Sequence, residues 1–234
     1  MRHLQIKLEN DAYFRKGNFP EMRSEVYLGL PVQGVSRREV FRVKGHLLQT
    51  DTISAVLQHR GKRVCALNFA NANFAGGAYT LGGSAQEEAL CRASLLYYTI
   101  RTAKPFYRAN RMHLLPDYTD YLIYSEHVPV IRDNSGNLLE TPMECDFITS
   151  PAVNRTFAKF LFSQKHIDSI MQERITQIIA LAADKHPEVL ILGAFGCGVF
   201  GNKREVVYPM FEDAINRYLP EDITVIFADP RGIS

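Results

Sequence analysis

The chain has 234 residues, 46% of them apolar, enough to bury a sizeable core in one large α/β domain or two small ones. A formal net charge of +2 argues against broad nucleic-acid binding, which leaves a strong basic footprint, but not against a local basic patch. No apolar run reaches bilayer length, and the N-terminal MRHLQIKLENDAYF lacks the apolar core of a secretion signal, so a cytoplasmic location and no membrane partner are expected. Cys65, Cys91, Cys145 and Cys197 include no Cys-x-x-Cys pair and read as reduced, mostly buried thiols; the seven histidines show no zinc spacing.

Residues 1–50 are mixed, with short strands expected at 25–30 and 40–43. Asp51 is placed to cap a helix over 52–59, and 63–70 follows as a strand because its apolar run is too short for a buried helix. Ser84, with Glu87 three residues on, reads as the cap of the next helix, whose buried face is Leu90, Ala93, Tyr97 and Ile100. The Tyr-, Pro- and charge-rich stretch 104–143 is expected to form loops and short strands, with a turn at 133–137. A strand over 143–149 ends at Pro151 and Asn154. Ile167, Ile170, Met171, Ile175, Ile178, Ile179 and Ala182 form a helical stripe. A strand at 189–194, a helix at 205–218 with Pro209 near its first turn, and a strand at 223–228 complete the chain. This alternation predicts an α/β sheet with helices on its faces, and in such sheets ligands bind beyond the carboxyl ends of the strands.

Two Gly-rich loops fall at such ends. In the first, Gly76-Gly77-Ala78 and Gly82-Gly83 bracket Tyr79, Thr80 and Leu81 between a buried strand and a helix, a tethering that suits close backbone approach to a ligand better than slack. In the second, Gly196-x-Gly198-x-x-Gly201 has the spacing that bares backbone N–H groups to phosphate. A dinucleotide-binding Rossmann unit is disfavoured, since the acidic strand end expected about 20 residues after the glycines is missing. Glu87 reads equally as half of a capping box or as a functional acid. Glu88 reads as a solvated first-turn acid or as a general acid whose pKa burial must raise. Phe200 is either core or a stacking ring. Cys197 has no neighbouring His in sequence to activate it. Asn68, Asn71 and Asn73 are turn formers or sugar-hydroxyl ligands.

Together these residues resemble the microbial-type poly(ADP-ribose) glycohydrolases, a branch of the macrodomain superfamily. The resemblance lies in Phe69-Ala70-Asn71, Gly76-Gly77-Ala78 and, after seven residues, Gln86-Glu87-Glu88; in the second loop from Gly193 to Asn202; and in the segment from Ile148 to Asn154. It spans roughly 51–229, with a weaker echo at Asn10 to Phe14. It implies a single macrodomain-like α/β domain over 1–234, with 1–50 as an N-terminal extension and a mixed sheet flanked by helices on both faces. It implies hydrolysis of O-glycosidic ADP-ribose linkages, with ADP-ribose or an ADP-ribosylated macromolecule as substrate and no cofactor or metal. By position, Glu88 would be the catalytic acid and Glu87 its partner at a ribose hydroxyl or the leaving group. Asn71 would hold hydroxyls of the distal ribose, Gly76, Gly77 and Ala78 would wrap that ribose and the diphosphate, Gln86 would be a further ligand-binding residue, and Gly196, Cys197, Gly198, Val199 and Phe200 would cradle the diphosphate, with Phe200 packed against the ribose. Ala78 stands where the family has glycine, and its methyl would clash if the loop needs a positive φ there. A non-catalytic ADP-ribose reader is the alternative from a different class, and a nicotinamide-dinucleotide oxidoreductase a third.

Overall fold

The computed structural model describes residues 2–232. Seven strands form one mixed sheet: β1 (Arg23–Tyr27), β2 (Leu47–Leu48), β3 (Val64–Phe69), β4 (Leu122–Arg132), β5 (Leu138–Ser150), β6 (Val189–Gly193) and β7 (Thr224–Ala228). Their order is β1-β4-β5-β3-β6-β7-β2. The β1-β4 and β4-β5 pairs are antiparallel; the pairs from β5 through β3, β6 and β7 to β2 are parallel. Among the described residues there are eight α-helices: α1 (Arg2–Lys16), α2 (Thr52–Leu57), α3 (Gln86–Ala93), α4 (Leu96–Ile100), α5 (Lys104–His113), α6 (Arg155–Ala158), α7 (Gln164–Lys185) and α8 (Arg204–Tyr218).

Strand alternation explains the two cores. Cys65 and Leu67 of β3, Leu190 and Leu192 of β6, and Val225 and Phe227 of β7 pack with the stripe of α7 and with α8 on one face. Val64 and Ala66, Val189 and Ile191, and Ile226 and Ala228 face the other way, onto the apolar sides of α2, α3, α4 and α5. A strand buried on both faces reads as a continuous apolar run, as 63–70 and 189–194 do. This is the α/β, macrodomain-like fold expected.

Several local expectations are corrected. The segment 40–43 is not a strand; it leads into a 3-10 turn at Val43–His46 and then β2. Helix α1 was not legible, because only Ile6 and the polar Asn10 are buried along its length. Ser84 does not cap α3: the cap position is Ala85, which supplies no side-chain bond, so no capping box forms and Glu87 is released for other partners. The helix expected to run on to Ile100 breaks at Ser94, which adopts extended backbone, bridges to Val130 of β4, and gives way to α4. The stretch 104–143 holds α5 and the long β4-β5 hairpin, turned at 133–137 as expected. Pro209 lies in the second turn of α8 rather than its first. The cap by Asp51 is present, its carboxylate accepting from the Ser54 N–H at 2.9 Å.

Candidate active site

Four parallel strands, β3, β5, β6 and β7, end on the same side of the sheet, and both Gly-rich loops leave from there. A cleft at this end of the sheet has a volume of about 580 Å³ and is lined by Phe69 and Ala70 after β3, Ser84 to Gln86 before α3, Gly196 to Phe200 of the second loop after β6, and Asp229 to Arg231 after β7.

Glu87 and Glu88 open α3 and are both buried, 3% and 7% exposed. Glu87 turns toward the end of β3, where its Oε2 accepts from the Asn71 N–H at 2.7 Å and its Oε1 from Asn68 Nδ2 at 3.2 Å. Burial pushes its carboxyl up to about 8, the neighbouring Glu88 adds to the rise, and the bonds from Asn71 and Asn68 oppose it. A neutral Glu87 needs an acceptor for its proton. The Asn68 Oδ1 is buried and without a partner, and the opposite orientation of that amide would present it to Glu87 as the acceptor. Glu88 is held differently. Its Oε1 accepts from the Ala78 N–H at 2.8 Å, and its Oε2 is buried with no hydrogen-bond partner among the described residues. One oxygen is anchored to the glycine loop and the other is buried without a partner.

The first loop is shaped by this contact. Gly77 adopts φ +55°, and a Cβ there would meet Glu88 Oε1 at 2.5 Å and Glu87 Oε2 at 3.3 Å. Gly76, at φ +70°, would drive a Cβ to 2.9 Å from the Tyr97 ring. Glycine is required at both positions. Ala78 is different: its φ is −92°, so its methyl imposes no backbone strain and the expected clash does not arise.

Gln86 lines the cleft, but its amide is already engaged. It accepts from the Phe69 N–H at 2.9 Å and donates to the Leu67 carbonyl at 2.8 Å and to Thr52 Oγ1 at 3.2 Å. It straps α3 to the end of β3 and so fixes where the two glutamates stand. Asn71 likewise spends its Oδ1 on the N–H groups of Asn73 and Phe74, at 2.9 and 3.0 Å, and folds the loop start into a turn.

In the second loop, Cys197, Gly201 and Asn202 donate their N–H groups within the protein. Those of Gly198, Val199 and Phe200 hydrogen-bond to nothing among the described residues and rim the cleft, a concavity suited to an anion. Asn202 closes the loop from beneath, its Nδ2 donating to the Val153 carbonyl at 2.9 Å and to that of Gly196 at 3.2 Å. Cys197 is no nucleophile, because burial pushes its thiol up to about 12. Phe200 packs against Tyr118, ring centroids 6.0 Å apart.

A family model described as microbial-type PARG, catalytic domain (PARG denoting poly(ADP-ribose) glycohydrolase) matches residues 15–133. The solved structure of PARG from Thermomonospora curvata is 33% identical, with a TM-score of 0.77 over 88% of this chain and 79% of that one. The same enzyme bound to the inhibitor ADP-HPD matches at 31% identity and TM-score 0.75, over 88% and 79%. PARG from Deinococcus radiodurans in complex with ADP-ribose matches at 35% and 0.71, over 78% of this chain and 75% of that one. This chain belongs to the microbial-type PARG family. A comparison with curated protein sequences gives no match.

Two parts of this glycohydrolase-family site escaped the sequence reading. The far end of the cleft is built by Asp51, Thr52 and Ile53 with Asp229, Pro230 and Arg231. Arg204 anchors that end, gripping Asp229 with Nε at 2.5 Å and Nη2 at 2.9 Å. The second part is Arg174. It is wholly buried, takes the Asp117 and Pro151 carbonyls on Nη1 at 2.8 and 3.0 Å, and pairs with Asp120 at 2.7 Å. It thereby fixes the turn that holds Tyr118 against Phe200. Its signal was present but passed over: Arg174 falls three residues after Met171 and seven after Ile167, in phase with the apolar stripe of α7. Among the described residues, no three His, Cys, Asp or Glu side chains cluster as metal ligands.

Proposed function

We propose that this chain hydrolyses O-glycosidic ADP-ribose linkages, polymeric or mono, with Glu88 as proton donor and then acceptor. One observation carries the choice of Glu88: its Oε2 is buried and unpartnered while Oε1 is pinned by the Ala78 N–H. An unpaired buried carboxyl oxygen costs stability, and a substrate oxygen is the partner it lacks. Membership of the PARG family and the ADP-ribose in the Deinococcus structure support the substrate class.

In this reading Glu88 gives its proton to the glycosidic oxygen as the carbon–oxygen bond breaks, and the bond's electron pair leaves with that oxygen. Water then attacks the oxocarbenium-like sugar, and its proton returns to Glu88. Glu87 and the Asn71 amide face the distal ribose, with Gly76, Gly77 and Ala78 wrapped over it. The free N–H groups of Gly198, Val199 and Phe200 take the diphosphate, and the end built by Ile53 and Pro230 takes the base. Gln86 acts through the glutamates it positions. The compartment we propose is the reducing cytoplasm, in keeping with four unpaired cysteines.

The test is Glu88→Gln. Release of ADP-ribose from poly(ADP-ribose) should fall by about 10²- to 10⁴-fold while affinity for ADP-ribose is kept. Turnover equal to that of the unmodified protein removes Glu88 from the mechanism. A tight complex with no product from the unmodified protein makes this chain a reader instead.

A further inference from the structure

With only one oxygen of Glu88 bonded, the direction of its Oε2 is set by the Ala78 contact and by whatever packs on the side-chain stem. Gly83 is what packs there. A Cβ on Gly83 would lie 3.1 Å from Glu88 Cγ and 2.7 Å from Ala78 Cβ, so its backbone lies against both residues with no room for a side chain. Gly83 is itself held on two sides. Its N–H donates to the Ala78 carbonyl at 2.9 Å, and its carbonyl accepts from Arg92 Nη1. Arg92 follows Glu88 by four residues and so stands one turn farther along the same side of α3.

These bonds close a ring. It runs from α3 through the Glu88 carboxylate to Ala78, from Ala78 to Gly83, and from Gly83 through Arg92 back to α3. One helix thereby grips the loop on either side of the 3-10 turn at Tyr79–Leu81. The helix dipole favours a basic residue anywhere in the last turn of α3, and that alone would give Arg92 no role. Its position is more particular. Arg92 is partly buried, forms no ion pair among the described residues, and spends Nη1 on the one loop carbonyl whose residue lies against Glu88. The neighbouring carbonyl shows the contrast. His3 of α1 donates from Nδ1 to the Gly82 carbonyl at 3.0 Å, but the atoms nearest a Cβ on Gly82 belong to His3 and Leu4, not to Glu88.

We propose that Arg92 is a positioning residue for the hydrolytic step: its bond to the Gly83 carbonyl keeps Gly83 against Glu88 and so aims Oε2 at the glycosidic oxygen. Arg92 does not line the cleft, and it acts through Glu88 alone. The inference rests on the reading of Glu88 as proton donor. Without the bond the loop lifts and the carboxyl turns, while the diphosphate loop stays in place. The cost therefore falls on kcat rather than on KM.

The experiment is a double-mutant cycle between Arg92→Met and Glu88→Gln, assayed by ADP-ribose release from poly(ADP-ribose). Arg92→Met keeps an unbranched stem and removes the donor. It should lower kcat at least about tenfold and leave KM and ADP-ribose affinity within about twofold. In the Glu88→Gln background the same change should cost less than about twofold, because the group it positions is already gone. Arg92→Lys, which keeps a donor on a shorter stem, should recover most of kcat. His3→Ala, which loosens the loop away from Glu88, should keep kcat within about twofold. Unchanged turnover in Arg92→Met, losses that multiply in the double variant, a fall in ADP-ribose affinity that matches the fall in kcat/KM, no recovery in Arg92→Lys, or an equal loss in His3→Ala each overturns the positioning role and leaves Glu88 as proton donor. Full turnover in Glu88→Gln alone removes the hydrolytic reading, and this inference with it.

Discussion

Two adjacent glutamates in α3 do different work because their side chains meet different backbone. Glu87 sits against the end of β3 and is pushed to about 8 chiefly by burial. A carboxyl raised in the folded state binds its proton more tightly there than in the unfolded chain. Its contribution to stability is therefore present below the ordinary carboxyl value and is lost as pH rises from there through about 8. Glu87→Gln, which mimics the neutral acid, should thus gain stability over the parent as pH rises, by on the order of 4 kcal/mol at pH 9 and little at pH 5. Urea unfolding of both proteins at the two pH values measures this, and a gain that is independent of pH contradicts a neutral Glu87. The loop offers a paired test. Gly77→Ala puts a methyl 2.5 Å from Glu88 Oε1 on backbone at φ +55°, so Glu88 or the loop must move. If Glu88 is the proton donor proposed above, a shift of that size should cost about a hundredfold in kcat/KM. Ala78→Gly relieves nothing, since φ there is −92°; it should lower stability by about 0.4–1 kcal/mol and leave kcat/KM within about twofold. Steady-state assays with poly(ADP-ribose) compare the two, and equal effects would mean that the loop position, not the glutamate contact, governs rate.

At the level of elements, α3 is short and stops at Ser94, which leaves the carbonyls of its last turn without helical donors. Asn10 of α1 supplies one from outside. Its Nδ2 donates one hydrogen to the carbonyl of Arg92 at 2.9 Å and shares the other between the Tyr79 hydroxyl at 3.3 Å and the Cys91 carbonyl at 3.4 Å, while its Oδ1 accepts from Arg132 Nε at 3.0 Å. Asp11 and Phe14 add a bond to the Tyr98 hydroxyl at 2.6 Å and a stack on its ring at 4.2 Å. Asn10→Ala should therefore destabilise the protein by about 1–3 kcal/mol by stranding buried groups on three elements. It should also lower kcat more than it raises KM, since α3 carries the glutamates; denaturant melts and kinetics together separate this from a purely structural loss. This also marks what the sequence could and could not reveal. The strands β3, β6 and β7 announced themselves as apolar runs, α7 as a stripe, and both loops by their glycines, because burial and tight turns constrain residue type. Helix α1 hid because its buried side is a hydrogen-bonding Asn, and α5 because its polar face outnumbers Phe106 and Tyr107. The capping box at Ser84 and Glu87 was a sound local pattern, overridden when the end of β3 offered Glu87 two stronger donors.

Across the whole molecule, the sheet has a parallel part from β5 through β3, β6 and β7 to β2, whose carboxyl ends carry the site, and an antiparallel edge, β1-β4, joined to it through β5. The cleft is walled by segments that follow β3, β6 and β7, and Arg174 ties the end of β5 to the turn behind Phe200. A nucleotide sugar spanning the two loops thus joins elements from both cores, and its binding energy adds to global stability. ADP-ribose at a hundred times its Kd should stabilise the protein by about 2.7 kcal/mol, and Glu88→Gln should be stabilised by the same amount, because chemistry is not involved. Gly196→Ala should lose most of this gain. Its methyl would meet Ala152 Cβ at 2.5 Å and Asn202 Nδ2 at 2.6 Å on backbone at φ +69°, displacing the loop on which the proposed function seats the diphosphate. Thermal melts with ADP-ribose, ADP and adenosine distinguish the contributions: ADP should retain most of the shift and adenosine little. If adenosine alone gives the full shift, or Gly196→Ala keeps it, the diphosphate does not sit on this loop and the orientation assigned to the substrate is wrong.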